Sequence, residues 1–87
     1  MSVNKKDVIK LLETIATYME LKGENPFKVS AFRKAAQALE IDDRSITEIE
    51  GFTKLSGIGK GTAAVITEYL ETGASEVLKE LQEEVPK

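Results

Sequence analysis

Three glycines at every second position, Gly57, Gly59 and Gly61, mark the stretch whose residue types and spacing could do chemistry. Leu55 precedes them, and an apolar pattern with helical spacing runs on through residues 62–70. A glycine turn that leads into a helix leaves backbone N–H groups without intrahelical acceptors, and the helix dipole adds partial positive charge there. This arrangement is suited to binding an anion, most often a phosphate.

The turn lies inside a longer pattern, a short helix, an apolar turn and a second helix over about residues 45–73, which predicts a helix-hairpin-helix. Glycine permits backbone angles and close approaches that a Cβ would block. The alternative interpretation is a tight helix connection with no ligand. No strand precedes the turn and Gly-Lys-Ser/Thr is absent, so it is neither a dinucleotide fingerprint nor a P-loop. We predict that the turn contacts a DNA backbone, an interaction that positions DNA without reading its sequence. The predicted contact residues are Gly57, Ile58, Gly59, Lys60, Gly61 and Thr62, and Ile58 is also the predicted apolar anchor of the turn.

A second candidate site is the stretch 25–36, Asn-Pro-Phe-Lys-Val-Ser-Ala-Phe-Arg-Lys-Ala-Ala. Lys28 and Arg33 fall off its apolar stripe and are predicted phosphate contacts. Phe27 and Phe32 are predicted to be core residues rather than platforms on which bases stack.

The composition excludes several kinds of site. The 87-residue chain has no cysteine and no histidine, which removes thiolate metal sites, disulfides and histidine-based acid–base catalysis. No apolar run approaches the roughly 18 residues needed to span a bilayer. We therefore expect one soluble, cytoplasmic domain.

The charge is unevenly distributed around a net value of −3. Residues 22–34 and 51–61 are basic, whereas residues 35–50 and 71–84 are acidic. We expect a basic side near the glycine turn, acidic surfaces elsewhere, and DNA binding that is modest and weakened by salt.

Hydrophobic periodicity predicts an all-α fold, a compact bundle of four to five short helices. Asn4 is the predicted N-cap of the first helix and Gly23 its C-terminal stop. The predicted helices run from about Lys5 to Lys22, from Pro26 or Phe27 to Glu40, from Ser45 to Gly51, from Lys60 to Glu71, and from Ala74 or Ser75 to Glu84.

Three segments, residues 11–16, 25–36 and 55–73, together resemble the amino-terminal 8-kDa domain of family X DNA polymerases, most closely the bacterial ones. The resemblance implies that residues 1–87 are one DNA-binding domain excised from a longer DNA-directed DNA polymerase. It also implies a role in DNA repair, namely base excision repair and gap filling, in which a monomeric domain grips 5′-phosphorylated gapped DNA. No membrane partner is implied.

The resemblance also implies roles for particular residues. Lys28 matches a lysine of the family's 5′-phosphate pocket, Phe32 stands where the beta enzyme has a tyrosine, and Arg33 matches the first residue of an Arg-Lys pair. The family's hairpin can bind Na⁺ or K⁺ through backbone carbonyls. Those carbonyls correspond here to the ones of Thr53, Leu55 and Ile58. The resemblance implies no other cofactor in this domain, and it implies divalent metal only in the polymerase part of the parent protein.

The sequence departs from the family where the lyase chemistry is done. The lysine that forms a Schiff base in the vertebrate enzyme aligns with Val65, and a second pocket lysine aligns with Gly61. Valine cannot replace an amine nucleophile, so we predict a non-catalytic domain. Two alternatives stay open: a 5′-deoxyribose phosphate lyase with a displaced nucleophile (Lys60 or Lys28), and a protein–protein module that uses the acidic helix 76–84.

Overall fold

The computed structural model describes residues 4–49 and 51–84. All regular structure in these two ranges is helical, as the periodicity predicts, and no helix there is both long and apolar enough to cross a membrane. The elements are α1 (Lys5–Lys22), α2 (Pro26–Ile41), single 3-10 turns at Ile46–Glu48 and Phe52–Lys54, α3 (Lys60–Thr72) and α4 (Glu76–Glu84).

The ends of α1 and the start of α2 follow from local chemistry. The Asn4 side chain accepts a hydrogen bond from the Asp7 N–H at 2.9 Å, and Gly23 ends α1 in the left-handed conformation with φ 85°. Asn25 caps α2 by accepting from the Phe27 N–H at 2.8 Å. Pro26 occupies the first helical position, where no N–H is needed. The predicted bounds of α1 and the predicted start of α2 are confirmed.

Helices α1 and α2 pack along each other as an antiparallel pair. The ammonium of Lys5, at the start of α1, donates to the carbonyl of Asp42, just beyond the end of α2. The predicted apolar stripes of both helices face inward. The buried core consists of Val8, Leu11, Leu12, Ile15, Ala16, Met19, Val29, Phe32, Ala35, Ala36, Leu39, Ile46, Ile49, Ile58, Ala63, Val65, Ile66 and Leu81.

The short helix predicted between Ser45 and Gly51 is instead one 3-10 turn. Ile46 and Ile49 are both buried, at 4 % and 7 % exposure, and a spacing of three places side chains on the same side of a 3-10 turn. Gly51 then takes φ 89°, which ends any helical path. The predicted capping contact is present, since the Glu48 carboxylate accepts from the Ser45 N–H at 3.0 Å. The prediction also included Glu50, which lies outside the described residues.

The predicted burial of Phe27 is wrong, whereas that of Phe32 is confirmed. Phe27 is 84 % exposed and Phe32 is 8 % exposed. The two differ because Phe27, in the first turn of α2, lies off the stripe of buried residues that continues through Phe32.

Helix α4 returns the chain to α1. Ser75 precedes its first turn, where its hydroxyl lies 3.4 Å from the Leu78 N–H and its carbonyl accepts from the Lys79 N–H at 3.1 Å. The helix packs against α1, and its last residue, Glu84, forms an ion pair with Lys22 at the end of α1.

Candidate nucleic-acid interface

The hairpin turn is seated on α2 through Gly57. Gly57 has φ 96°, and a Cβ there would lie 3.2 Å from the carbonyl oxygen of Lys34 and 3.6 Å from the Cβ of Ala38. Both the backbone angle and the close approach therefore favour glycine. Next to it, the Ile58 side chain is 5 % exposed, so it anchors the turn in the core as predicted.

Gly59 and Gly61 differ from Gly57, because nothing in the fold requires them to be glycine. Neither has a positive φ, and a Cβ at either position would meet no atom within 4 Å. Both residues are exposed. Glycine here leaves bare backbone facing open space.

The first turn of α3 keeps its backbone donors available. Among the described residues, no protein acceptor receives the N–H groups of Lys60, Gly61 or Thr62. The Thr62 hydroxyl is turned inward, where it accepts from the Gly59 N–H at 3.0 Å and lies 3.1 Å from the Gly59 carbonyl. The Thr62 hydroxyl therefore holds the turn, and the residue itself is 4 % exposed. Lys60, two residues earlier, is exposed.

A cleft of about 470 Å³ joins the hairpin to the other three helices. Its apolar surface includes the buried side chains of Phe32 and Val65. The structure thus places several predicted site residues around one space, together with the valine that aligns with the family's nucleophile. Those predicted residues are Lys28, Phe32, Gly59, Gly61 and Thr62.

Lys28 and Arg33, both predicted phosphate contacts, lie on different faces of α2. Lys28 lines the cleft, whereas Arg33 lines a smaller depression, of about 330 Å³, with Glu20 and Lys34. Two Arg33 nitrogens bond the Glu20 carboxylate at 3.1 and 3.4 Å. That hydrogen-bonded pair lowers the pKa of Glu20 and raises the pKa of Arg33. A phosphate bound in the cleft could therefore contact Lys28 but not Arg33.

The basic side expected near the glycine turn is not found at this cleft, whose lining includes three carboxylates and two ammonium groups. Glu80 and Glu84 of α4 line it together with Glu24, because α4 folds back onto the end of α1. The hydrogen bond that the Lys22 ammonium donates to the Glu84 carboxylate raises the pKa of Lys22, and the charges of Glu24 and Glu80 add to the effect. Lys22 and Glu84 lie so far apart in the chain that the sequence gives no local signal of their pairing.

The three carbonyls of the expected monovalent cation site belong to the chain that enters the hairpin. Thr53 lies in the second 3-10 turn, Leu55 follows it half-buried, and Ile58 is buried within the hairpin. The Leu55 carbonyl accepts a hydrogen bond from the Ile58 N–H at 3.2 Å. A carbonyl oxygen has two lone pairs, so the second could serve a cation.

A family model described as a helix-hairpin-helix domain matches residues 3–75 of the chain. The chain belongs to that family. The two arms of this helix-hairpin-helix are unequal, because the first is a 3-10 turn and the second is the 13-residue α3.

The amino-terminal part of a bacterial polymerase is closely similar to this helix-hairpin-helix domain. The relative is the DNA polymerase/3′-5′ exonuclease PolX of Bacillus subtilis (strain 168), which is 67% identical over 84 residues. The match covers 97% of this chain but 15% of the relative. The resemblance to the amino-terminal domain of bacterial family X polymerases is therefore confirmed.

Proposed function

We propose that this domain binds DNA through the sugar–phosphate backbone, as the DNA-gripping module of a family X polymerase. The observation that carries the proposal is the cleft that Lys28 lines together with the bare backbone of Gly59 and Gly61. Backbone N–H groups at a helix start and a nearby ammonium are the donors that a phosphate uses. The relative's name, a DNA polymerase, supports the same ligand.

The finer proposal is that the cleft takes the 5′-phosphate at the downstream side of a gap. Lys28 and the N–H groups of Gly61 and Thr62 would bind the terminal phosphate, while Gly57, Ile58, Gly59 and Lys60 would follow the neighbouring backbone. Phe32 would pack beneath the sugar as part of the apolar surface. Arg33, on another face of α2, would contact a different phosphate.

The role proposed for the parent protein is repair synthesis, with gap filling in base excision repair, as a monomer in the cytoplasm. Divalent metal would be used in the polymerase part alone. The backbone carbonyls of Thr53, Leu55 and Ile58 would hold Na⁺ or K⁺, which would supply positive charge beside the hairpin.

The domain itself is proposed to be non-catalytic toward an abasic end. Val65 lines the cleft, and an apolar side chain there supplies no amine for a Schiff base. Lys28 also lines the cleft, so a displaced lysine nucleophile is the alternative that the geometry favours over a protein–protein role. Lys60 is not among the cleft residues.

An NMR titration with gapped DNA, with and without the 5′-phosphate, tests the proposal. We expect amide shifts at Gly57, Gly59, Lys60, Gly61 and Lys28, larger with the phosphate. Lys28→Gln should lower the slope of log affinity against log salt by about 1, as expected for one lost phosphate contact. Lys79→Gln, a lysine of α4 outside the cleft, is the matched control.

Two outcomes would decide against parts of this proposal. Equal shifts with and without the 5′-phosphate would remove the pocket, and shifts confined to helix 76–84 upon addition of a protein partner would favour the protein–protein module. Borohydride treatment with an incised abasic substrate should give no covalent adduct. An adduct that Lys28→Gln abolishes would establish the displaced-nucleophile lyase instead.

A further inference from the structure

Lys22 lies at the rim of the candidate DNA cleft, alongside Lys28. It ends α1, so it reaches the cleft from a different helix than Lys28 does. Its ammonium is paired with the carboxylate of Glu84, which ends α4, and both side chains are partly open to solvent, at 37% and 49% exposure. Neither residue has a role in the function proposed above.

The charged rim of the cleft contains more carboxylates than ammonium groups. Glu24, Glu80 and Glu84 stand against Lys22 and Lys28, which makes this rim negative by one charge. The Lys28 ammonium is itself 3.7 Å from the Glu24 carboxylate. A phosphate that enters the cleft is therefore repelled by the net negative charge of the rim unless it displaces a carboxylate from one of the two ammonium groups.

We propose that Lys22 is a second phosphate-binding residue of this cleft, and that Glu84 occupies its ammonium until the DNA phosphate displaces it. The proposal rests on the DNA-binding function proposed above and adds a residue pair to it. It makes the carboxylate of Glu84 a competitor of the ligand, built into the same chain.

The exchange is physically reasonable because both partners are exposed and the carboxylate can move away. An exposed ion pair contributes little net stability, since each side chain loses rotamer freedom and water screens the attraction. Glu84 is held by one side chain at the end of a helix, so it can turn to solvent without disturbing the packing of α4. A terminal phosphate carries more negative charge and more acceptor oxygens than a carboxylate, and it therefore makes stronger charge-assisted hydrogen bonds.

The test compares affinities of the 87-residue chain for gapped DNA with and without a 5′-phosphate, at low salt. Glu84→Gln should tighten binding of the phosphorylated DNA about two- to fivefold, the range expected for one exposed ion pair. Glu83→Gln is the matched control, because it makes the same charge change on the neighbouring residue, which does not line the cleft. Lys22→Gln should weaken binding of the phosphorylated DNA by a similar factor, and Lys79→Gln should not.

The outcomes separate this proposal from the one on which it rests. If Glu84→Gln and Glu83→Gln tighten binding equally, the effect is one of overall charge and the exchange is refuted. If Lys28→Gln weakens phosphate-dependent binding while Lys22→Gln leaves it unchanged, Lys22 is not a ligand, although the cleft is still a phosphate site. If the unmodified chain shows no preference for the 5′-phosphate, the proposed 5′-phosphate function itself fails.

Discussion

The hairpin and the first turns of α2 form two sides of one cleft, but they offer a ligand different chemistry. The hairpin offers backbone, with N–H groups that have no acceptor among the described residues and two glycines open to space. The other side offers charged side chains that are already paired with carboxylates: Lys28 of α2 lies 3.7 Å from the Glu24 carboxylate, and Lys22 at the end of α1 forms an ion pair with Glu84 of α4. Backbone donors are held in place by the fold, whereas side-chain charges can exchange partners.

Residues of the same type can likewise have different roles in this domain. Two phenylalanines on α2 and two glycines in the hairpin look equivalent in the sequence. In each pair one member serves the fold and the other faces outward, so each pair provides its own internal control for the predictions below.

The largest expected effect separates Phe32 from Phe27. Phe32→Ala should lower the free energy of unfolding by about 3–5 kcal/mol, since it empties part of the core beneath the cleft. Phe27→Ala should change it by less than about 0.5 kcal/mol, because the ring is 84 % exposed. Urea denaturation followed by circular dichroism measures both. A comparable loss for the two variants would show that Phe27 is packed after all.

An intermediate effect separates Gly57 from Gly59. Gly57→Ala should destabilise the fold by about 2 kcal/mol, because an L residue is disfavoured in the left-handed region and its Cβ would press on the Lys34 carbonyl at 3.2 Å. Gly59→Ala should change stability by less than about 1 kcal/mol, because the entropy gain in the unfolded chain is offset by the weaker N-cap preference of alanine at the start of α3. Urea denaturation provides the stability comparison.

DNA binding by the Gly59 variant separates a residue that contacts the ligand from one that the fold requires. Gly59→Ala should weaken binding of gapped DNA although the variant is folded, because the new methyl group would stand where we propose that the phosphate backbone approaches. A Gly59→Ala variant with full stability and full affinity would contradict a backbone contact at this residue.

The smallest effect concerns the charged pair on the far side of α2. The Arg33 guanidinium lowers the pKa of Glu20, so the pair stabilises the fold above the ordinary glutamate pKa of 4.5. This contribution is lost as the pH falls through the lowered folded-state value, where the carboxylate becomes protonated. Glu20→Gln should therefore lower the urea midpoint slightly at pH 7 and not at all near pH 2.

Glu13→Gln is the control for that comparison. Glu13 is exposed on the same helix, and its carboxylate forms no ion pair within residues 4–49 and 51–84. A pH-dependent difference of equal size in the two variants would mean that the Arg33–Glu20 pair contributes nothing specific.

Local sequence determined the helices and most of the core. Asn4, Gly23, Asn25 and Pro26 carry their capping chemistry in their own side chains or backbone, so the bounds of α1 and the start of α2 could be predicted. The apolar stripe of α2 was predictable because 3.6-residue periodicity is a property of the chain alone. The helix-hairpin-helix pattern and the position of Val65 were equally available from sequence.

The tertiary structure alone decided which of those residues share a site. It separated Lys28 from Arg33 on the surface of one helix, and it brought Glu80 and Glu84 from the far end of the chain to the rim of the cleft. It showed that Phe27 is exposed and Phe32 buried, because burial depends on which face of α2 the rest of the chain covers. It also distinguished Gly57 from Gly59 and Gly61, since only the packing of the turn against Lys34 shows which glycine the fold itself requires.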